Sequence, residues 1–523
     1  MPSLLSVARV LTSGAKLTTA ERAALKAAGP AASPAVVAAV VKAIRAGEDP
    51  LGAAYCRINT AFQRRSSGQT FTPDHVVSGM YGWARRQKRD IVRLVDPGAG
   101  TGRYTLAGLR ALPGAKAVAV EMDPVVAVLL RANLAAAGVA DRAQVVVSDY
   151  RSLKLPKVTG STLFVGNPPY VRHHGISAAW KEWYSEALSS AGLKGSQLAG
   201  LHLHFFLKTQ ELARTGDLGV FVTAAEWLDV RYGSSLRDML VGQLGGTDVF
   251  VVEPQLQVFD DAMVSAAITG FAPGSGPTSL RFKSVQNAKD LKSLPAGRAV
   301  AVETLKAHAR WSILVKDTPE ERREGHIELG ELFKVSRGQV TGLNRVWVQH
   351  EGAPIVPERF LIPSITDAAD IVAAPSNEIR DLDKLRRVVS LPRDLDAITL
   401  PERRVVDAFL KWARQLGAHD TYIARHRKPW WHVSLREPAP IVMTYMGRRP
   451  PVFALNAAGA KLINVAHGLY PRQGVDEAHA RSLVAWLNAN VRQSAGRSYA
   501  GGLTKFEPSE AMRILVPEHL ASA

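Results

Sequence analysis

Apolar positions along the chain fall into two rhythms. From Ile91 to Phe271, short apolar runs alternate with longer amphipathic stretches. Ile91–Val95, Ala117–Val120, Gln144–Val147, Thr162–Val165, Leu218–Val222, Asp248–Val252 and Met263–Phe271 read as strands, being short and rich in β-branched residues. Between them the spacing predicts helices over 103–111, 124–137, 202–214 and 233–241. Strands alternating with helices imply an α/β fold with a mainly parallel sheet covered on both faces. Before this region, residues 1–60 are Ala-rich. Ser33 followed by Pro34 predicts the cap and first turn of a helix that runs to Arg45 and stops at Gly47. After it, Pro273-Gly274-Ser275-Gly276-Pro277 breaks the rhythm and reads as a linker. Beyond that come short strands, many arginines, and the tryptophans Trp347, Trp430 and Trp431. The expected organisation is a helical section at 1–60, an α/β domain at 61–275 and a mixed α+β domain at 276–523.

Composition adds little except through charge. Of 523 residues, 46% are hydrophobic and 21% charged, which excludes wholesale disorder. The net charge of +18 is unusual and points to a polyanionic partner, nucleic acid or an anionic membrane surface. Residues 331–523 carry 26 basic and 19 acidic groups, so the field is spread over the chain and is no basic tail. One cysteine, Cys56, forbids an internal disulfide, suits a reducing cytoplasm and leaves no cysteine cluster for zinc. No apolar run reaches the ~18 residues of a membrane span. The N-terminus has no continuous apolar core followed by a cleavage site, so no signal peptide is expected. Nucleic acid remains as the partner, and the cytoplasm as the expected location.

Asp96-Pro97-Gly98-Ala99-Gly100-Thr101-Gly102 lies between a predicted strand and a predicted helix. Glycines there allow a tight turn and close approach to a ligand. Nineteen residues past Gly102 stands Glu121, at the end of the next strand, where an acid accepts two ribose hydroxyls. Asp96 opens the loop, where a pyrophosphate would be repelled and an ammonium welcomed. Asp149 ends the third strand, a place from which a carboxylate reaches an adenine amino group. Ammonium, ribose and adenine together describe S-adenosylmethionine. Ala99, Met122 and Tyr150, next to these positions, complete the set read from this part of the chain.

Asn167-Pro168-Pro169-Tyr170 follows the fourth strand. The Asn amide oxygen and a Pro carbonyl are two acceptors. Converging on an exocyclic NH2, they hold both its protons and favour attack by its nitrogen. Positioning and electrostatics then suffice, without a covalent intermediate. Tyr170 offers a ring to stack on a planar base.

These residues resemble the gamma-class DNA adenine-N6 methyltransferases of bacterial restriction–modification systems, the type II modification methylases. The resemblance runs from about Gln69 to Pro517. Gly68-Gln69-Thr70-Phe71-Thr72-Pro73 looks like the motif that folds over the methionine part of the cofactor, which adds Phe71, Thr72 and Pro73 to the cofactor contacts. Asn167 and Pro169 border the same site. Val258-Phe259, followed by Met263-Val264-Ser265-Ala266-Ala267, looks like the motif carrying a second stacking aromatic. The resemblance implies a Rossmann-like S-adenosylmethionine-dependent domain and a C-terminal target-recognition domain. It also implies that Tyr170 and Phe259 sandwich an adenine flipped out of duplex DNA. Arg337-Gly338-Gln339-Val340-Thr341-Gly342-Leu343-Asn344 resembles the opening of the recognition domain, and Gly501-Gly502-Leu503-Thr504-Lys505-Phe506-Glu507-Pro508 its closing segment. Ala500 stands where a third glycine is common, and Thr70 where an aromatic is usual. Residues 1–60 have no counterpart. The implied partners are double-stranded DNA, met as a monomer, and a separate cognate endonuclease, since the chain has no extra domain to hold a nuclease.

Other readings compete. Cytosine-C5 methylation needs a cysteine nucleophile, and Cys56, in the helical section, reads as a buried thiol instead. His202 and His204 are spaced i, i+2 and share no helical face, so they read as packed residues and no metal is expected. His173 and His174 follow the Tyr170 loop, where they could touch DNA. In Arg425-His426-Arg427-Lys428-Pro429-Trp430-Trp431 the tryptophans read as core. The basic residues there, like Arg448 and Arg449, read either as phosphate contacts or as a solvated turn. Two alternatives stay open: an amino-group methyltransferase acting on RNA or protein glutamine, and a non-catalytic DNA-binding regulator on this scaffold.

Overall fold

The computed structural model describes residues 1–523 apart from 61–62, 64–67, 69–71, 254–255, 257–265, 316–324, 473–475, 499–502 and 521–523. The chain forms two compact units, Met1–Pro319 and Glu320–Ala523.

The first unit is built on one sheet. Its strands are β1 (Ile91–Pro97), β2 (Lys116–Glu121), β3 (Ala143–Val147), β4 (Ser161–Gly166), β5 (Leu218–Ala224), β6 (Gly246–Val252), β7 (Ala266–Phe271), β8 (Ser279–Val285) and β9 (Arg298–Ala301). They lie in the order β3-β2-β1-β4-β5-β7-β6-β8-β9. Pairing is parallel from β3 through β5 and again between β6 and β8, and antiparallel on both sides of β7 and at β9. Central strands covered on both faces read as continuous apolar runs, and every residue of β5 is buried. Side chains alternate between two cores. Phe164 joins Phe206, Phe221 and Phe271 on one face, whereas Leu163 and Val165 join Met80 and Trp83 on the other.

The helix Pro124–Ala137 is apolar nearly all round because it is covered twice. Ala127, Leu130 and Leu134 face the sheet. Val128, Leu129 and Ala132 face the N-terminal helices Pro2–Leu11, Pro34–Arg45 and Pro50–Ile58 through Leu4, Val7, Ile44 and Leu51. Fully burying one such leucine contributes about 1.5–3 kcal/mol. Residues 1–60 thus belong to the first compact unit, with Ser33 capping Pro34–Arg45 as its sequence predicts.

The sequence places a boundary at 275, and the structure places it later. Pro273–Pro277 turns the chain from β7 into β8, and β8 and β9 extend the sheet. Proline and glycine serve a connecting turn as well as a linker, so their presence does not separate the two cases. The helix Asp74–Arg86, unforeseen in the sequence, packs Val76, Val77, Met80 and Trp83 inward, and Trp83 Nε1 donates to Asp248 at 2.9 Å.

In the second unit, Phe333–Arg337, Ala466–Pro471, Ile441–Thr444 and Phe453–Leu455 form an antiparallel sheet in that order. The helix Glu477–Asn490 covers it through Leu483, Val484 and Leu487. A second core gathers Trp347, Val406, Phe409 and Val433 around the helix Leu400–Gln415. This is the expected mixed α+β arrangement. Among the described residues, no helix is long and apolar enough to cross a membrane.

Candidate active site at the carboxyl ends of the parallel strands

Strand order reverses between β1 and β4. In open α/β sheets such a switch point leaves a crevice at the carboxyl ends of the strands. The glycine loop follows β1 there, and Asn167–Tyr170 follows β4. The loop turns back onto β2: the Gly98 and Ala99 N–H groups both donate to the Val120 carbonyl, at 2.9 and 2.8 Å. Gly100 and Gly102 hold φ of +56° and +96°, a region that only glycine enters cheaply. A Cβ on Gly102 would lie 2.5 Å from Leu130, while one on Gly100 meets nothing within 4 Å among the described residues. A Cβ on Gly98 would lie 3.7 Å from Pro169, so the loop and the Asn-Pro-Pro-Tyr segment are neighbours.

Asp96 is fully buried. One oxygen accepts from the Thr105 N–H at 3.0 Å and hydroxyl at 2.6 Å. The other, Oδ1, is buried with no hydrogen-bond partner among the described residues. Burial pushes the carboxyl up to about 7, against the pull of the Thr105 bonds. Glu121 is also buried, and desolvation raises its pKa. Its oxygens accept from the Gly100 and Asp123 N–H groups, both at 2.9 Å, which fixes the carboxylate beside the loop. Met122 stands next to it with its side chain 64% exposed.

Two candidates have protein partners of their own. Asp149 is held by Arg151, which donates from Nη2 at 2.6 Å and Nε at 2.9 Å, and Arg151 in turn stacks on Trp180. The expected bond to an adenine amino group would have to share a carboxylate already ion-paired. Tyr150 turns into the core, its hydroxyl 2.9 Å from Thr209 and its ring on Phe205, so it offers no ring to the crevice.

Asn167 donates from Nδ2 to the buried Thr72 hydroxyl at 3.1 Å. That bond commits the NH2 end of the amide to the protein and orients the carbonyl end. Thr72 and Pro73 precede the helix Asp74–Arg86, with Pro73 at its cap. The Gly68 carbonyl accepts from the Tyr170 N–H at 3.1 Å, and a Cβ on Gly68 would lie 2.6 Å from that nitrogen. The two motifs, distant in sequence, are thereby joined. Pro168 is buried, and Pro169 and Tyr170 are half-buried. Phe71 and Phe259 lie outside the described residues, as do Gln69, Thr70, Val258, Met263–Ser265 and Ala500–Gly502. His173 and His174 form a turn after Tyr170, with ring centroids 3.7 Å apart. His202 and His204 are buried, and desolvation lowers them to about 4 and about 3. Cys56 is half-buried rather than buried.

Sequence reading missed Thr105, Arg103 and Arg151. The first two sit in the opening turn of the helix after the glycine loop, where a side chain faces back toward the strand end.

In the second unit the two segments matched to the ends of a recognition domain come together. Arg337 pairs with Glu507, which also pairs with Lys505 at 2.5 Å. A groove beside them is lined by Arg337, Gln339, His426, Arg427 and Arg436. Arg427 donates from Nη2 to the Val340 carbonyl at 2.8 Å, while its Nη1 is buried with no partner among the described residues. Arg425 pairs with Asp420. Trp430 and Trp431 are half-buried at the rim of the Trp347 core.

The family model for the Eco57I restriction-modification methylase matches residues 156–245, and that for the C-terminal domain of the type II methyltransferase M.Eco57I matches residues 320–523. The chain is 48% identical to the type II methyltransferase M.XamI of Xanthomonas campestris pv. amaranthicola over 469 residues, 90% of this chain and 87% of the relative. It is 21% identical to the type II methyltransferase M.AccI of Acinetobacter calcoaceticus over 87% of this chain and 86% of the relative. In fold it is similar to the type IIL restriction-modification enzyme MmeI, solved in complex with DNA, with a TM-score of 0.53 and 12% identity over 97% of this chain and 70% of that one. The chain belongs to the type II methyltransferases of restriction–modification systems.

Proposed function

We propose that this protein methylates adenine N6 at a specific sequence in double-stranded DNA, using S-adenosylmethionine, with the target base turned out of the duplex. The observation that carries the reading is the orientation of Asn167 by Thr72, on the strand end next to the Asp96 loop.

The residues present fit the cofactor. The buried Asp96 Oδ1, without a partner among the described residues, suits an ammonium, and a Cβ on Gly100 in the same loop meets nothing within 4 Å among them. Glu121 is held by two N–H groups and keeps acceptor sites for ribose hydroxyls. Exposed Met122 offers an apolar surface to adenine. When bound, S-adenosylmethionine supplies a methyl group on a positively charged sulfur.

The chain's own residues do the rest. The Asn167 and Pro168 carbonyls accept the two hydrogens of the target amino group and aim its lone pair. Tyr170, with Phe259 on the other side, stacks on the base. An N6 group inside the stack cannot reach an enclosed site, which is why the base must leave it. The 320–523 unit reads sequence, its basic groove meeting the phosphate backbone. In the cell this modification would protect host DNA in the cytoplasm from a separate endonuclease, the enzyme meeting its site as a monomer.

The test is to incubate the protein with duplex DNA, duplex RNA and labelled S-adenosylmethionine, and to digest the products to nucleosides. The reading predicts label in N6-methyladenine from DNA alone. Label in a cytosine product or in RNA would contradict it.

A further inference from the structure

We infer that Asp49 is a positioning residue that braces the cofactor loop and, through Arg103 and Thr72, the Asn167 amide. This rests on reading the loop as the cofactor site. Asp49 lies in the N-terminal section, to which the sequence assigns no role, and caps the helix Pro50–Ile58.

Capping needs one hydrogen bond, and the two Asp49 oxygens accept four. Oδ1 accepts from Gly52 N at 2.8 Å and Asn133 Nδ2 at 3.1 Å. Oδ2 accepts from the Thr101 hydroxyl at 2.7 Å and Arg103 Nε at 2.9 Å. A carboxylate has about four lone-pair sites, so this one is saturated. Thr101 belongs to the glycine loop, and its carbonyl is held from the other side by the buried Asn133 at 2.8 Å. Arg103 passes the constraint on: its Nη1 donates to the Thr72 carbonyl at 2.9 Å, and the Thr72 hydroxyl accepts from Asn167.

The local sequence is shaped for this contact. A Cβ on Gly52 would lie 2.1 Å from Asp49 Oδ2 and 2.7 Å from the Thr101 hydroxyl. Only glycine lets the helix come close enough for Asp49 to reach the loop. A second anchor supplies the contrast. Buried Glu21 pairs with Arg131 at 2.5 Å, fastening the same section to the same Pro124–Ala137 helix away from the loop.

The experiment measures S-adenosylhomocysteine binding by calorimetry, alongside the thermal midpoint, for the full-length protein and its variants. Asp49→Asn keeps the shape but loses the charge and half the acceptor capacity. It should weaken binding about tenfold, the scale of one charge-assisted hydrogen bond. Thr101→Val should do the same through the loop side and remains informative if the Asp49 variant does not fold. Thr101→Ser, which restores the hydroxyl, should bind more tightly than Thr101→Val. Glu21→Gln should lower the midpoint and leave affinity unchanged. Asp49→Asn or Thr101→Val binding like the wild type would overturn the inference. So would affinity losses that simply follow the midpoint in all variants, Glu21→Gln included. Failure of the wild type to bind S-adenosylhomocysteine would instead sink the underlying reading of the loop.

Discussion

Asp96 in the first unit and Arg427 in the second each keep one buried atom without a protein partner among the described residues. Leaving such a group unsatisfied costs about 1–3 kcal/mol. The two sites differ in depth and surroundings. Asp96 is fully enclosed behind a glycine loop, with the Glu121 carboxylate close enough to push its pKa up further. Arg427 is half-buried along an open groove that also carries Arg337, His426 and Arg436. A single deep carboxylate suits a compact cation. A positive rim suits an extended polyanion. On the proposed function, one chain holds two recognition chemistries of opposite sign, each completed by a different ligand.

The largest expected effect separates chemistry from both. Asn167→Ala should lower the methyl-transfer rate about 10²–10³-fold, the usual scale for removing one transition-state hydrogen-bond partner. It should leave cofactor and DNA affinity nearly unchanged, as read by calorimetry and filter binding. Equal losses in rate and cofactor affinity would mean that Asn167 binds rather than orients.

Asp96→Asn should weaken cofactor binding about 10–100-fold and leave DNA binding intact, since a buried charge-assisted bond is lost. The same site predicts a pH dependence. The carboxylate, not the acid, attracts a cation, and this carboxyl titrates near 7. Cofactor affinity should therefore fall as pH drops below 7, by about tenfold per unit at the steepest. The dependence should vanish in Asp96→Asn. Stability runs the other way: with the folded pKa above the ordinary 3.8, the native state holds the extra proton between 3.8 and about 7. Asp96 therefore costs stability increasingly as pH rises through that window. A flat affinity profile between pH 6 and 8, measured at about constant ionic strength, would contradict the assignment.

Arg427→Ala should have the smallest effect. DNA affinity should fall severalfold at every sequence, with the slope of log affinity against log salt reduced by about one. Cofactor affinity should not move. A change in preferred sequence instead would make Arg427 a base reader.

Much of this was legible in the sequence where periodicity and chemistry coincide. The helix Pro124–Ala137 and the strand after Asp90 follow from apolar stretches of helix and strand length, and the glycine loop sits where its strand–helix context predicts. What escaped depends on side-chain contacts that no periodicity shows. Arg151, two residues on, ion-pairs with Asp149, and Thr209, far along the chain, meets the Tyr150 hydroxyl. The helix Asp74–Arg86 carries Gly79 and Gly82 in its interior, which weaken a helical pattern, and the β7–β8 turn uses the same residues as a linker. Asp49 before Pro50 signals a helix start, but its three contacts with Thr101, Arg103 and Asn133 exist only in the fold.

The central claim is that the Asn167 carbonyl at the end of β4 directs methyl transfer to adenine in DNA. It is tested most directly by expressing the wild type and Asn167→Ala in a host lacking adenine methylation and sequencing genomic DNA by a single-molecule, modification-sensitive method. The account predicts N6-methyladenine at one recurrent short motif with the wild type and a strongly reduced modified fraction at that motif with the variant. Unmodified adenine with soluble wild-type protein, or full modification by Asn167→Ala, would contradict it.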